Sequence, residues 1–113
     1  MKLYYHATTE KNVSSILHNG IKPSLGGFVY LADSLENACK FGYLDACGDT
    51  IYIFTVKIRK SDESKIQETF DHNEAFFQCK SYGYDGIIEP SRIGKLYKRT
   101  FTVNANNNKK TGV

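Results

Sequence analysis

LYYHATTEKNVSSILHNGIKPSLGGFVYLADSLENACKF, residues 3–41, sets the organisation of this chain. Two apolar runs, Leu3-Tyr4-Tyr5-His6 and Phe28-Val29-Tyr30-Leu31, each lead through a polar cap into a segment with helical spacing. Aliphatic and Tyr side chains suit a pleated, half-buried surface, so Lys2–His6 and Phe28–Ala32 read as strands. After the first, Thr8 or Thr9 caps a helix from Glu10 to His18. Val13, Ile16 and Leu17 recur at i, i+3 and i+4 as its apolar face, and Gly20 provides a left-handed stop. Pro23 keeps the following segment extended. After the second run, Asp33 or Ser34 caps a helix over Leu35–Tyr43. Its inward face is Leu35, Ala38, Cys39 and Phe41, with Gly42 near the end.

Downstream, Ile51–Ile58 (IYIFTVKI) is β-branched or aromatic almost throughout, which marks a strand at the centre of a sheet. Arg59–Ser64 is a charged connection and Lys65–Thr69 a brief strand or edge. A third helix is expected over Asn73–Tyr82, with Ala75, Phe76, Cys79 and Tyr82 inward and Gly83 ending it. Tyr84–Glu89 reads as a short strand closed by Pro90. Leu96–Val103 alternates as a final strand, with Leu96, Lys98, Thr100 and Thr102 on one face. Residues 104–113 form a polar tail. The elements follow no regular βαβ period, so the expected fold is α+β: one domain over residues 1–103, with a mainly antiparallel, split sheet and flanking helices.

Composition narrows the class. The chain has 113 residues, with 41% hydrophobic and 24% charged, which fits one globular domain. Its 8 Tyr and 7 Phe exceed what a small core readily buries, and surplus Tyr lines clefts with a flat apolar face and a polar tip. The net charge of +3 is mild, although Lys and Arg concentrate at Lys57–Lys60 and Lys95–Lys110. A solvated positive face explains that better than a nucleic-acid partner does, since the basic clusters alone fall short of a nucleic-acid signature. No run approaches the about 20 apolar residues that span a membrane, so no membrane association and a cytoplasmic location are expected. Cys39, Cys47 and Cys79 form no CxxC and have no flanking His at ligand spacing, so a metal site is not expected and reduced thiols are.

Taken alone, a His at a strand end is more often structural, and Tyr30 is one more strand aromatic. As a set they are more specific. Tyr5-His6-Ala7-Thr8-Thr9, a helix ending in HNGI, and Val29-Tyr30-Leu31-Ala32-Asp33-Ser34 with Ala38 and Phe41 resemble the ADP-ribosyltransferase superfamily. The resemblance is to its diphtheria-toxin and poly(ADP-ribose) polymerase branch, named for a His, a Tyr and a Glu. It covers most of the chain, running through IYIFTVKI to Tyr82-Gly83-Tyr84-Asp85-Gly86-Ile87-Ile88.

That resemblance implies an ADP-ribosyltransferase-like split sheet and NAD as substrate. His6 matches the His that hydrogen-bonds the adenine-side ribose hydroxyl, and Ala7 the position whose backbone N–H and C=O hold the nicotinamide amide. Tyr30 and Phe41 match the two aromatics around the nicotinamide ring. A cationic pyridinium between aromatic faces gains stacking, cation–π attraction and exclusion of water. A carboxylate set against the developing oxocarbenium charge completes the chemistry.

Three positions depart from the family pattern, the mildest being Ala7 for the usual Gly, where the backbone makes the contact and Ala is tolerable if its dihedrals fit. The Ser that bonds the amide in polymerase members falls at Ala38. The final strand, Gly94-Lys95-Leu96-Tyr97-Lys98-Arg99, carries no acid where the family Glu is expected. Glu89 is the leading substitute, Glu74 the second and Asp85 the third; each is equally readable as a strand-end or helix-end surface charge. Arg92 and Lys95 are candidate pyrophosphate donors or solvated surface groups. His18 and His72 read as surface residues.

The implied activity is NAD-dependent mono-ADP-ribosyl transfer to a host or target macromolecule, of the toxin, phage-modifier or anti-CRISPR kind, with a protein acceptor favoured over nucleic acid. A cognate antitoxin or host-target complex is the expected partner. Two alternatives stand beside it: a degenerate module that binds NAD or a partner without catalysis, and an RNA 2′-phosphotransferase-like enzyme.

Overall fold

A computed structural model describes residues 2–24, 26–45, 50–69 and 80–100, with backbone only at 41 and 43–45. Its elements are β1 (Lys2–Thr8), α1 (Glu10–Asn19), β2 (Val29–Leu31), α2 (Leu35–Asp45), β3 (Thr50–Ile58), β4 (Ile66–Thr69), β5 (Ser81–Tyr84) and β6 (Ile93–Thr100). Short 3-10 turns at Lys60–Lys65 and Pro90–Arg92 complete them. The strands form two three-stranded sheets, β1-β3-β6 and β2-β5-β4, and every strand pair is antiparallel. The fold is α+β with a mainly antiparallel, divided sheet.

IYIFTVKI is central, as its composition requires. In β3, Ile51, Ile53, Phe54 and Val56 have no exposed surface, although consecutive side chains point to opposite faces. Both faces are therefore covered. One carries Phe54, Val56 and Ile58 into a cluster with Tyr4 of β1, Ile16 of α1, Val29, Leu31 and Tyr84 of the second sheet, and Ile88. The other carries Ile51 and Ile53 against Ala32 and Ala38, with Leu35 and Cys39 of α2 packed alongside.

The first helix runs one residue past the expected end. Thr9 takes the N-cap position without a side-chain cap bond, and its buried hydroxyl has no partner among the described residues. Ile16 is buried and Val13 half-buried, whereas Leu17 is 51% exposed, so Leu17 does not belong to the inward face. The inward line is Val13, Ile16 and Gly20, the narrow stripe that a single layer beneath α1 can cover. Gly20 ends the helix with φ 84°, its N–H bonded to the Ile16 carbonyl at 2.8 Å. A β-carbon there would collide with the Ile88 carbonyl. Gly20→Ala combines a left-handed backbone with that collision, so a loss of about 1–3 kcal/mol is expected by denaturant unfolding.

The second helix has the expected cap. Ser34 Oγ accepts the Asn37 N–H at 3.1 Å, and Asn37 Nδ2 reaches Asp33 Oδ1 at 3.0 Å. Further along, a β-carbon on Gly42 would meet Ala7 Cβ at 2.8 Å and Ile51 Cδ1 at 3.0 Å. That absence of a side chain lets α2 lie directly on β1.

Three expectations are corrected. Tyr82 belongs to strand β5, not to the inward side of a third helix; it packs edge-on to Tyr4 with ring centroids 5.5 Å apart. Gly83 is mid-strand, opposite Tyr30, and ends no helix. The strand expected at Tyr84–Glu89 lies earlier, at Ser81–Tyr84. The chain then turns at Asp85-Gly86, where Gly86 has φ 130°, and Ile88 makes one bridge to Ile21. Residues 73–79 of that helix, with the expected inward residues Ala75, Phe76 and Cys79, and Cys47, His72 and the 104–113 tail lie outside the described residues.

Candidate functional site

Among the described residues, the backbones of the two sheets join at one bridge. Tyr5 N–H bonds the Ala32 carbonyl at 2.9 Å, and Ala32 N–H bonds the Tyr5 carbonyl at 2.8 Å. Tyr5 thus spends both backbone groups on β2 and turns them away from β3. Backbone groups alternate sides along a strand, so Ala7, two residues on, also aims its N–H and C=O away from β3. By the same alternation Tyr30, two residues before Ala32, aims its backbone groups at β1. A continued ladder would pair Ala7 with Tyr30. It stops instead, and no backbone partner of Ala7 on that side is present among the described residues.

His6 fills one corner of this opening. Its Nδ1 lies 2.9 Å from the Tyr30 carbonyl oxygen. A carbonyl oxygen only accepts, so Nδ1 carries the proton and Nε2 of the neutral ring presents a lone pair. Burial holds the His6 pKa below its ordinary value, and the Tyr30 carbonyl opposes this by favouring the protonated ring. At neutral pH His6 is therefore a donor to Tyr30 and an acceptor at Nε2.

Tyr30 is 38% exposed, in contrast to the buried Val29 and Leu31 on either side. Its hydroxyl lies over the Gly26-Gly27 turn, where a β-carbon on Gly26 would strike it. The Ala7 side chain points into the α2 packing, so only its backbone faces the opening. Ala38, in the place of the family Ser, is 1% exposed within the α2 core. Phe41 is on α2, and its side chain lies outside the described part of the structure.

His6, Ala7 and Tyr30 are thus brought together. Of the candidate carboxylates, the two among the described residues, Glu89 and Asp85, are not brought to them. Glu89 is exposed, precedes the Pro90–Arg92 turn, and lines a shallow pocket with Lys57, Ile58, Tyr84 and Arg92. His6 pairs with Phe54 in β3. The strand from Phe54 to Ile58 spans about 13 Å at about 3.3 Å per residue, so Glu89 stands beside the far end of β3. Asp85 is exposed at the turn after β5, its N–H bonded to the Lys65 carbonyl at 2.9 Å. Glu74 lies outside the described residues.

The row that crosses the sheet from His6 runs through Phe54 to Leu96 of β6. No carboxylate stands in it. This row was not legible in the sequence, because it depends on a β-bulge: Phe54 pairs with Leu96 but Val56 with Ile93. Arg92 is no solvated cation. It is 15% exposed and pairs with Asp62 at 3.3 Å, which also holds Arg59 at 3.7 Å and Lys65 at 4.0 Å. Lys95 sits 4.8 Å from the Tyr97 ring centroid. His18 is exposed at the end of α1, its Nδ1 bonded to the Ser14 carbonyl at 2.9 Å, as a surface residue should be.

Among the described residues no group of His, Cys, Asp and Glu could hold a metal ion. Among them too, no helix is long and apolar enough to cross a membrane. No family model matches this chain, and no curated protein matches it.

Proposed function

We propose that the opening between β1 and β2 binds the nicotinamide half of NAD, and that the protein is a mono-ADP-ribosyltransferase. The observation that carries this is the interrupted ladder: Ala7 offers an outward N–H and C=O at the place where Tyr30 would have paired. A carboxamide has the complementary pair, an N–H donor and a C=O acceptor, and two hydrogen bonds fix its orientation. Exposed Tyr30 supplies an aromatic face beside that position, and His6 Nε2 accepts a ribose hydroxyl proton. Nicotinamide leaves with the electron pair of the C1′–N bond. The acceptor nucleophile bonds C1′ and gives its proton to a carboxylate or to water. Clamping the leaving group and stabilising the cationic ribose account for most of such a barrier.

The acceptor is a host or target macromolecule, as for a toxin or a phage modifier. The acid is open to direct assignment. Glu89 is far from His6 along β3, so Glu89→Gln is expected to retain transfer and Glu74→Gln to lose at least about a hundredfold. Incubation with labelled NAD and a cell lysate, followed by electrophoresis, measures both. Loss in Glu89→Gln alone would return the acid to Glu89. If wild type neither transfers nor hydrolyses NAD, the enzyme reading fails.

A second reading has its own observation. The His6–Phe54–Leu96 row is apolar beyond His6, which fits a module that binds NAD and does not turn it over. Saturable NAD binding by calorimetry, with neither transfer nor hydrolysis, would select it.

A further inference from the structure

Charge in this protein is sorted by sheet. Strands β1, β3 and β6 contain no Asp or Glu, yet they carry Lys2, Lys57, Lys95, Lys98 and Arg99. The chain as a whole is far more balanced, with 15 Lys and Arg against 12 Asp and Glu. Three of those cations fall within five residues of β6, the outer strand in the order β1-β3-β6. None of the three makes an ion pair among the described residues, whereas Arg59, Lys65 and Arg92 all converge on Asp62.

The β6 cations are held by aromatic rings. Lys95 Nζ lies 4.8 Å from the Tyr97 ring centroid and the Arg99 guanidinium 5.3 Å from it. These two project to the same side of the strand as Tyr97, at i−2 and i+2. Lys98 projects to the other side, 5.9 Å from the ring of Tyr52, its cross-strand partner. Cations and tyrosines therefore occupy both sides of the strand along one edge. Packing against a ring removes side-chain freedom in advance, which lowers the cost of ordering a long cation on a ligand.

We propose that the β6 edge is a docking strip for the phosphate backbone of a single-stranded nucleic acid. Cations that flank one edge on both sides, with no acid partner among the described residues, suit a polyanion running along that edge. Half-buried Tyr97 of β6 and Tyr52 of the neighbouring β3 leave part of each ring to unstacked bases, which a duplex keeps inside. At about 3.3 Å per residue β6 is roughly 26 Å long, enough for the short end of the ~4–16-nucleotide footprints of such grooves. Contacts of this kind carry no sequence information, so binding is general and steeply salt-dependent. The inference stands apart from the NAD reading, although Lys98 lies only two rows along the sheet from His6. The contrasting account is that Lys on an edge strand only prevents strand-to-strand association.

Fluorescence anisotropy with labelled 12-mer oligothymidylate and oligouridylate tests the proposal, with a 12-mer duplex and polyglutamate as comparisons. Wild type is expected to bind a single strand, more tightly than the duplex. The triple variant Lys95→Gln, Lys98→Gln, Arg99→Gln is expected to lose tenfold or more. The slope of log affinity against log salt should fall by about 2, from about 0.7 per lost phosphate contact. Thermal melting and NAD titration of the same variant control for fold and for the other site. Binding of the variant like wild type, binding of polyglutamate as tightly as the oligonucleotides, or a duplex preferred over single strands would each overturn the assignment. If wild type binds single strands and not NAD, the strip stands and the NAD reading falls.

Discussion

Phe54→Ala is expected to lower the unfolding free energy by about 3–5 kcal/mol, the range for truncating a fully buried aromatic. Phe54 has no exposed surface and belongs to the cluster that joins β1, α1, the second sheet and Ile88. It also sits between His6 and Leu96 in the row across the sheet. The cavity would open where both sheets and α1 meet, with rigid β-strands on either side, so little collapse can fill it. In a domain of this size, with a stability of about 5–15 kcal/mol, the variant should unfold at much lower urea with an unchanged m-value. Phe54→Leu conserves most of the volume and should lose less than about half as much. Equal losses for the two would mean that ring shape, not filled volume, holds the sheets together.

The importance of that position was legible in the sequence because IYIFTVKI has a signal that survives any context. A β-branched and aromatic run broken only by Thr55 and Lys57 has almost no solvent face, so it must be covered on both sides. The caps of α2 and the positive φ of Gly20 were legible for a similar reason, since each is local chemistry between residues a few positions apart. Leu17 failed because periodicity reports which residues share a helix face, not how wide a stripe the neighbouring layer covers. The stretch around Gly83 is misleading because a Gly after a helical pattern is also the signature of a helix stop. Its actual place is mid-strand, opposite Tyr30, with the Phe28 ring close beside it.

The candidate site shows the same division. His6 and Tyr30 stand out only as a set, through the resemblance, and their contact is the backbone carbonyl of one with the ring of the other. No side-chain pattern encodes that. Ala7's outward backbone groups follow from where β2 departs from β1, which is set by tertiary packing. Glu89 was chosen by nearness in sequence to a GYDG-like turn. Its distance from His6 follows from the bridge between Ile88 and Ile21, a contact between residues far apart in the chain.

His6→Ala is expected to weaken NAD binding by roughly tenfold to a hundredfold, as measured by calorimetric titration at pH 7.5. The change removes an acceptor for a ribose hydroxyl and leaves the Tyr30 carbonyl without its donor, a combined cost of about 1–3 kcal/mol. The pH dependence of stability offers an independent check on the same residue. Burial lowers the folded-state pKa of His6 below the unfolded value of 6.5, so the unfolded chain binds the proton more readily. Stability from this group is therefore complete above about pH 6.5 and is lost as pH falls from there through the lower folded-state pKa. The melting temperature of wild type should drop between pH 7.5 and pH 5 by more than that of His6→Gln, which has nothing to titrate. If both fall in parallel, His6 is not held neutral by its surroundings, and its Nε2 would not be a ready acceptor at neutral pH. If His6→Gln removes the extra pH sensitivity and NAD still binds as in wild type, the imidazole serves only to tie β1 to the Tyr30 carbonyl. The nicotinamide site would then rest on the backbone of Ala7 and the face of Tyr30 alone.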